Sequence, residues 1–203
     1  MKPLRLIRIV AWVAVVIAAT LFIGYWRSTP TIPSNEATLT PPFQLGGAFE
    51  LTAHTGKTVT EQDFLGKPRL LFFGFTHCPD VCPTTLSWLM DLVEQVGPEA
   101  DIPILLVSVD PERDTPAALA DYVTSFGPNI VGLTGSTDQI DAVIKSWKAY
   151  AKRIPLENGD YTMDHTASVY LVDANGAFRG TVDIHDTSPT ANVAKLKRLI
   201  GLN

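Results

Sequence analysis

Cys78 and Cys82 are the only two cysteines of the 203-residue chain, and they lie four positions apart in the segment FTHCPDVCP, residues 75–83. A bridge between them would close too short a ring to stabilise a domain, because the entropy removed from the unfolded chain grows with the length enclosed. Short of coincidence, the pair is there for chemistry, either thiol redox exchange or the binding of a soft metal ion. At helical i,i+4 spacing the two Cα atoms stand about 6 Å apart, which a disulfide tolerates and which also lets two sulfurs converge on one ion. The spacing leaves both chemistries open, and a third donor would help to separate them.

Four histidines are candidates: His54, His77, His165 and His185. His54 lies beside a predicted hairpin turn and His185 in a polar loop after the last predicted strand, so both are expected to be solvated. His77 adjoins Cys78, but neighbours in sequence usually point apart. His165 stands in YTMDHTA, residues 161–167, immediately before a predicted strand. Asp164 beside it is a candidate to orient or electrostatically support a site, or else a solvated loop carboxylate. Met163 is expected in the core rather than as a weak ligand.

The elements that must position these residues follow from periodicity and turn chemistry. Residues 49–59 predict a small hairpin turning at Thr55-Gly56. Residues 69–75 predict a strand whose run Leu70-Leu71-Phe72-Phe73 is apolar on both faces, as in a central strand covered on each side. Residues 83–96 carry Leu86, Leu89, Met90 and Val93 on one helical stripe and stop at Gly97-Pro98, so the cysteines fall at a strand-to-helix junction. Next come a strand at 102–109, a helix at 115–126 capped by Thr115 with Pro116 at its first position, a strand at 130–133 and a helix at 136–150. Residues 151–165 read as irregular. A hairpin at 167–172 and 177–182 turns at Asn175-Gly176, and a helix at 188–200 closes the chain. This order predicts a single α/β domain, and a cysteine pair after its first core strand suggests a thioredoxin-like fold. With Cys82 at the start of a helix and Cys78 in the loop before it, the helix dipole is expected to favour thiolate at both.

Outside the domain, Lys2, Arg5 and Arg8 make residues 1–8 a basic terminus, and residues 9–26 form an apolar run of about 27 Å if helical. No small-residue cleavage site follows, so an uncleaved transmembrane anchor is expected, with residues 1–8 cytoplasmic and the rest of the chain across the membrane, where disulfides are permitted. Residues 27–42, with Pro30, Pro33, Pro41 and Pro42, predict an extended tether to a domain at 43–203. Twelve basic and twenty acidic residues remain after residue 42, a net charge of −8 with histidine neutral. Such a balance, with no basic stripe, argues against a nucleic-acid partner.

Three segments, FGFTHCPDVCP at 73–83, SVDPERDTP at 108–116 and MDHTA at 163–167, resemble in order the SCO/SenC family of copper-binding assembly factors for cytochrome c oxidase. The resemblance spans most of the soluble domain. It implies a thioredoxin-like fold tethered by an N-terminal membrane helix, in a bacterial-type inner membrane with the domain on the periplasmic side, or in the mitochondrial inner membrane facing the intermembrane space. It further implies one copper per chain, as Cu(I) or Cu(II), held by Cys78, Cys82 and His165, and cytochrome c oxidase subunit II or other copper chaperones as partners. Soft thiolates with one imidazole suit that metal, whereas zinc usually takes a fourth ligand. The function implied is delivery of copper to, or preparation of the thiols of, the binuclear copper centre of subunit II. The alternative is a thioredoxin-type thiol–disulfide oxidoreductase in which Cys78 attacks and Cys82 resolves, although the spacing is C-x3-C and no proline stands before the strand at 167. Peroxide reduction fits less well because it leaves His165 without work. Residues 110–114, DPERD, read as a solvated loop without a ligand role, and the polar stretch 152–164 as a mobile element able to carry His165 toward or away from the cysteines.

Overall fold

The computed structural model describes residues 12–13, 16–22, 45–97, 100–157, 159–182 and 189–202. Residues 44–203 are one compact unit, and in chain order it runs β1 (Glu50–Ala53), β2 (Thr58–Thr60), a 3-10 turn (Glu61–Phe64), β3 (Arg69–Gly74), α1 (Val81–Val96), β4 (Ile104–Ser108), α2 (Pro116–Thr124), β5 (Ile130–Thr134), α3 (Thr137–Ser146), β6 (Ala151–Pro155), β7 (Tyr161–His165), β8 (Val169–Val172), β9 (Phe178–Val182) and α4 (Pro189–Leu199). Among the described residues seven strands form one sheet in the order β2-β1-β5-β4-β3-β8-β9, while β6 and β7 pair only with each other.

Strand β3 is buried at all six positions. Side chains alternate between faces along a strand, so burial at every position means that both faces are covered. Phe72 and Phe73 are fully buried, and each contributes about 1.5–3 kcal/mol by leaving water. Parallel pairing with β4 sets Gly74 opposite Ser108, and antiparallel pairing with β8 sets Phe72 opposite Val169. The consequence for function is geometric. The chain leaving β3 toward the cysteines, the chain leaving β4 toward residues 110–114, and the chain entering β8 from His165 all meet at one end of the sheet.

Local chemistry supports these elements. Thr115 caps α2, its hydroxyl accepting from the Ala118 N–H at 3.2 Å, with Pro116 at the first position. Helix α3 ends at Ser146, short of the expected 150, where Trp147 leaves helical geometry and Lys148 takes a left-handed φ of 52°. That early stop frees the following residues to pair. The stretch 151–165, expected to be irregular, is instead the β6–β7 hairpin, with Ala151 opposite His165 and Pro155 opposite Tyr161. Its sequence lacks apolar alternation because it covers the domain with a mixed, half-exposed surface.

Residues 12–13 and 16–22 are helical and exposed, Trp12, Val16, Ile17, Leu21 and Phe22 among them. Among the described residues no helix is long and apolar enough to cross a membrane. The span expected at 9–26 falls partly, and the tether at 27–42 wholly, outside the described residues.

Candidate metal centre

Helix α1 begins at Val81, so Cys78 sits in the loop before it and Cys82 in its first turn. The helix has no side-chain cap from Asp80. Instead the Cys82 N–H donates to the Cys78 sulfur at 3.3 Å, so one of the helix's open donors is aimed at the thiol. Both cysteines are free thiols, Cys78 half-buried and Cys82 buried. Burial pushes the Cys82 thiol well above its ordinary range, and the contact with Cys78 adds to the effect. The thiolate expected at Cys82 from the helix dipole is thus outweighed by desolvation. A bound cation reverses that balance by supplying the charge that the proton otherwise supplies.

Room for the Cys82 sulfur comes from Gly74. A Cβ there would stand 3.1 Å from that sulfur and 3.0 Å from both Leu106 Cδ1 and Phe72 Cε1. His165 ends β7, and its Nδ1 lies 3.1 Å from the Thr166 carbonyl. That carbonyl can only accept, so Nδ1 carries the proton and Nε2 presents its lone pair, 3.5 Å from Cys82 Sγ. Phe72 and Phe75 meet the imidazole edge-on, with ring centres 6.2 and 5.7 Å away. Burial lowers the His165 pKa, opposed by the Thr166 bond and by Asp164, so the ring is held neutral as a metal ligand must be.

The ligand atoms of Cys78, Cys82 and His165 all lie within 4.8 Å of one another. Bonds of about 2.0–2.3 Å to one ion bring donors to within about 4.6 Å of each other, so only a small closure is required. Two sulfurs and one imidazole are the donor set of a soft, copper-type site. The group fits a single copper ion.

Asp164 is exposed and acts on His165 only through its charge, while Met163 packs against the core. His77 is exposed and bonds to Thr76 Oγ1 at 3.0 Å. His54 is not the solvated residue expected, because its Nδ1 accepts from the Gly132 N–H at 3.1 Å and braces β5. His185 lies outside the described residues.

The largest departure concerns residues 110–114, which are no solvated loop. Asp114 is fully buried and accepts from Ser108 Oγ and Thr76 Oγ1, both at 2.6 Å, and from the Thr76 N–H at 3.1 Å, which pins the start of the cysteine loop. Asp110 is buried too. It accepts from the Tyr161 hydroxyl at 2.8 Å and from Arg113 Nε at 2.5 Å. The bonds of Thr76 to Asp114, of Arg113 to the Tyr161 carbonyl and of Tyr161 to Asp110 join residues 38, 48 and 51 positions apart, so the sequence did not show these roles. The one available signal was a pair of aspartates between a buried strand and a capped helix.

A family model described as SCO1/SenC matches residues 37–201. The human protein described as "Protein SCO1 homolog, mitochondrial" is 44% identical over 138 residues, covering 66% of this chain and 46% of its own. The chain spans about half the length of the curated relatives it matches. Copper-bound ScoI of Bradyrhizobium japonicum has a similar structure, with 47% identity, a TM-score of 0.71, and coverage of 76% of this chain and 99% of its own. BsSco, described as a member of the Sco family of cytochrome c oxidase assembly proteins in which a disulfide switch was identified, aligns at 28% identity and a TM-score of 0.64, covering 80% of this chain and 98% of its own. The mixed α/β, thioredoxin-like architecture is common to this chain and these solved structures.

Proposed function

Because the chain belongs to the SCO1/SenC family, we propose that it is a membrane-anchored copper chaperone, with Cys78, Cys82 and His165 as ligands, that serves the binuclear copper centre of cytochrome c oxidase subunit II. The observation that carries this reading is the convergence of two sulfurs and a bare Nε2 within 4.8 Å. Relatives described as copper-bound or as oxidase assembly proteins support the cargo and the destination.

Copper is the cargo, and each residue has a task in holding it. Cys78, half-buried, is the accessible sulfur and the first to meet incoming metal. Cys82 is closed off from solvent, so its proton leaves as copper arrives and returns as copper departs. His165 contributes a neutral donor that an incoming thiolate of the acceptor displaces more readily than either sulfur, which gives the transfer an order. The anchor is assigned to residues 9–26, supported by the apolar run behind Lys2, Arg5 and Arg8. It places the copper domain on the far side of the membrane from that basic terminus.

A second reading is favoured by the contrast between one accessible and one buried thiol. Cys78 would attack a disulfide of the target, and Cys82 would displace the mixed disulfide, leaving an oxidised Cys78–Cys82 pair and a reduced target. The oxidised pair holds no copper, so this chemistry would precede copper delivery. Copper titration of the full chain in detergent micelles tests the main reading. Wild type should take one copper per chain, and Cys78→Ala and His165→Ala should each weaken it. Unchanged affinity in His165→Ala, with turnover of a disulfide substrate by the metal-free chain, would overturn it in favour of the oxidoreductase.

A further inference from the structure

Cys78, Cys82 and His165 reach one point on two separate pieces of chain, and the segment 110–114 grips both. On the cysteine side, Asp114 holds Thr76 through its hydroxyl and its N–H. On the histidine side, the β6–β7 hairpin has no strand partner in the seven-stranded sheet among the described residues, so side chains fasten it to the domain. Tyr161, at its far end, makes four of these contacts. Its hydroxyl donates to Asp110 at 2.8 Å, and its carbonyl accepts from Arg113 Nη1 at 3.0 Å. Guanidinium carbons of Arg113 and Arg153 stand 3.7 and 3.5 Å from its ring centre. Two guanidiniums at that distance cannot share one face, so the ring is sandwiched between them. Arg113 is largely buried, and its Nη2 has no hydrogen-bond partner among the described residues, so stacking as well as hydrogen bonding holds it in place. Arg153 is tied in turn to Glu112 at 2.9 Å.

Tyr161 and His165 lie four residues apart on β7, on the same face of the strand and about 13 Å from each other. A tilt of about 10° about the Tyr161 end would therefore carry the imidazole roughly 2 Å, enough to lose contact with Cys82. We propose that Tyr161, clamped between Arg113 and Arg153 and bonded to Asp110, is a positioning residue that locks the β6–β7 hairpin and thereby sets how firmly His165 engages copper, independently of the two cysteines. The inference rests on the ligand set given above. Loosening the clamp withdraws the histidine and leaves the sulfurs in place, so it changes the three-donor site into a two-thiolate site that still suits Cu(I).

The test uses the full chain in detergent micelles, as wild type, Tyr161→Phe and Tyr161→Ala. The phenylalanine variant keeps both stacks and loses only the hydroxyl. In metal-free protein, Tyr161→Ala should speed amide exchange in β6 and β7 by about tenfold or more while β3 and α1 stay within about twofold, since local opening is separable from global unfolding. Loaded with Cu(II), it should lose the nitrogen coupling in the electron paramagnetic resonance spectrum. Its Cu(I) affinity, measured against a chromogenic chelator, should fall by no more than that of His165→Ala and far less than on loss of a sulfur, because soft thiolates carry most of the hold on that ion. Tyr161→Phe should restore most of the nitrogen coupling. Exchange that rises equally in β3 and the hairpin would mark a general loss of stability and overturn the proposal, as would undiminished nitrogen coupling in Tyr161→Ala. If wild type itself takes no copper, the ligand assignment falls, and hairpin exchange still decides whether the clamp exists.

Discussion

The cysteine loop and the histidine hairpin deliver their donors to one point by opposite means. The loop continues β3, a strand buried at every position, and its sulfur sits in space left by Gly74 and against a helix start. The hairpin is a two-stranded appendage, mostly half-exposed, fastened by a few side chains at long sequence separation. A donor of the first kind moves only if the core moves, because close-packed interiors do not deform continuously. A donor of the second kind can be adjusted alone. A site that must bind an ion and then give it up gains from having one of each.

The strongest test of this contrast removes a sulfur. Cys82→Ala should lower copper affinity by at least about a thousandfold, about 4 kcal/mol of binding, and leave the fold intact. His165→Ala should cost less, about 10- to 100-fold, or roughly 1.4–2.8 kcal/mol. Equilibrium dialysis with metal analysis measures both, and equal losses would erase the distinction. Next in size comes Gly74→Ala, which pushes a methyl group against Leu106, Phe72 and the Cys82 sulfur. Overpacking of this kind costs about 1–3 kcal/mol of stability. Urea unfolding should show that loss, and copper affinity should fall with it, because at the cysteine end fold and site are one structure.

Titration of the metal-free chain separates the two ends more gently. His165 has a pKa lowered by burial from its model-peptide value of 6.5, so the unfolded chain binds the proton first, and stability is lost as pH falls below about 6.5 toward the folded value. Cys82 has a pKa raised by burial from 9.0. The unfolded chain therefore loses that proton first, and stability is lost as pH rises above about 9. Urea midpoints of chelator-treated protein should show both flanks. His165→Ala should flatten only the acid flank and Cys82→Ala only the alkaline one, and a shared response would mean the two ends are coupled before metal arrives.

How much of this was legible in the sequence follows the same divide. The cysteine end was legible because local chemistry writes it: an apolar run at 70–73, a strand-to-helix junction, and Thr115-Pro116 opening the next helix. The domain's sheet and its closing hairpin followed from the same periodicities. His165 was visible as a residue, through its neighbours in the segment MDHTA, but its support was not. Residues 151–165 carry Lys152, Arg153 and Asp164 where a half-buried strand would show alternation, so pattern alone could not reveal two paired strands. The burial of Asp110 and Asp114 was hidden for a related reason. A carboxylate looks solvated in sequence until its donors are known, and here they come from Thr76, Ser108, Arg113 and Tyr161.

The smallest expected effect probes the outer edge of the hairpin. Arg153 is half exposed and pairs with the exposed Glu112, so the ion pair itself contributes little in water. Its stacking on Tyr161 is worth about 0.5–1 kcal/mol at such a site. Arg153→Ala should therefore leave the urea midpoint almost unchanged and Cu(I) affinity unaltered, while raising amide exchange in β7 about two- to fivefold, the factor that 0.5–1 kcal/mol of local opening free energy implies. Glu112→Gln removes the partner without touching the stack and should do less still. A larger response to Glu112→Gln than to Arg153→Ala would assign the edge to charge rather than to the aromatic ring, and the hairpin's hold would then weaken with added salt, as a screened ion pair does.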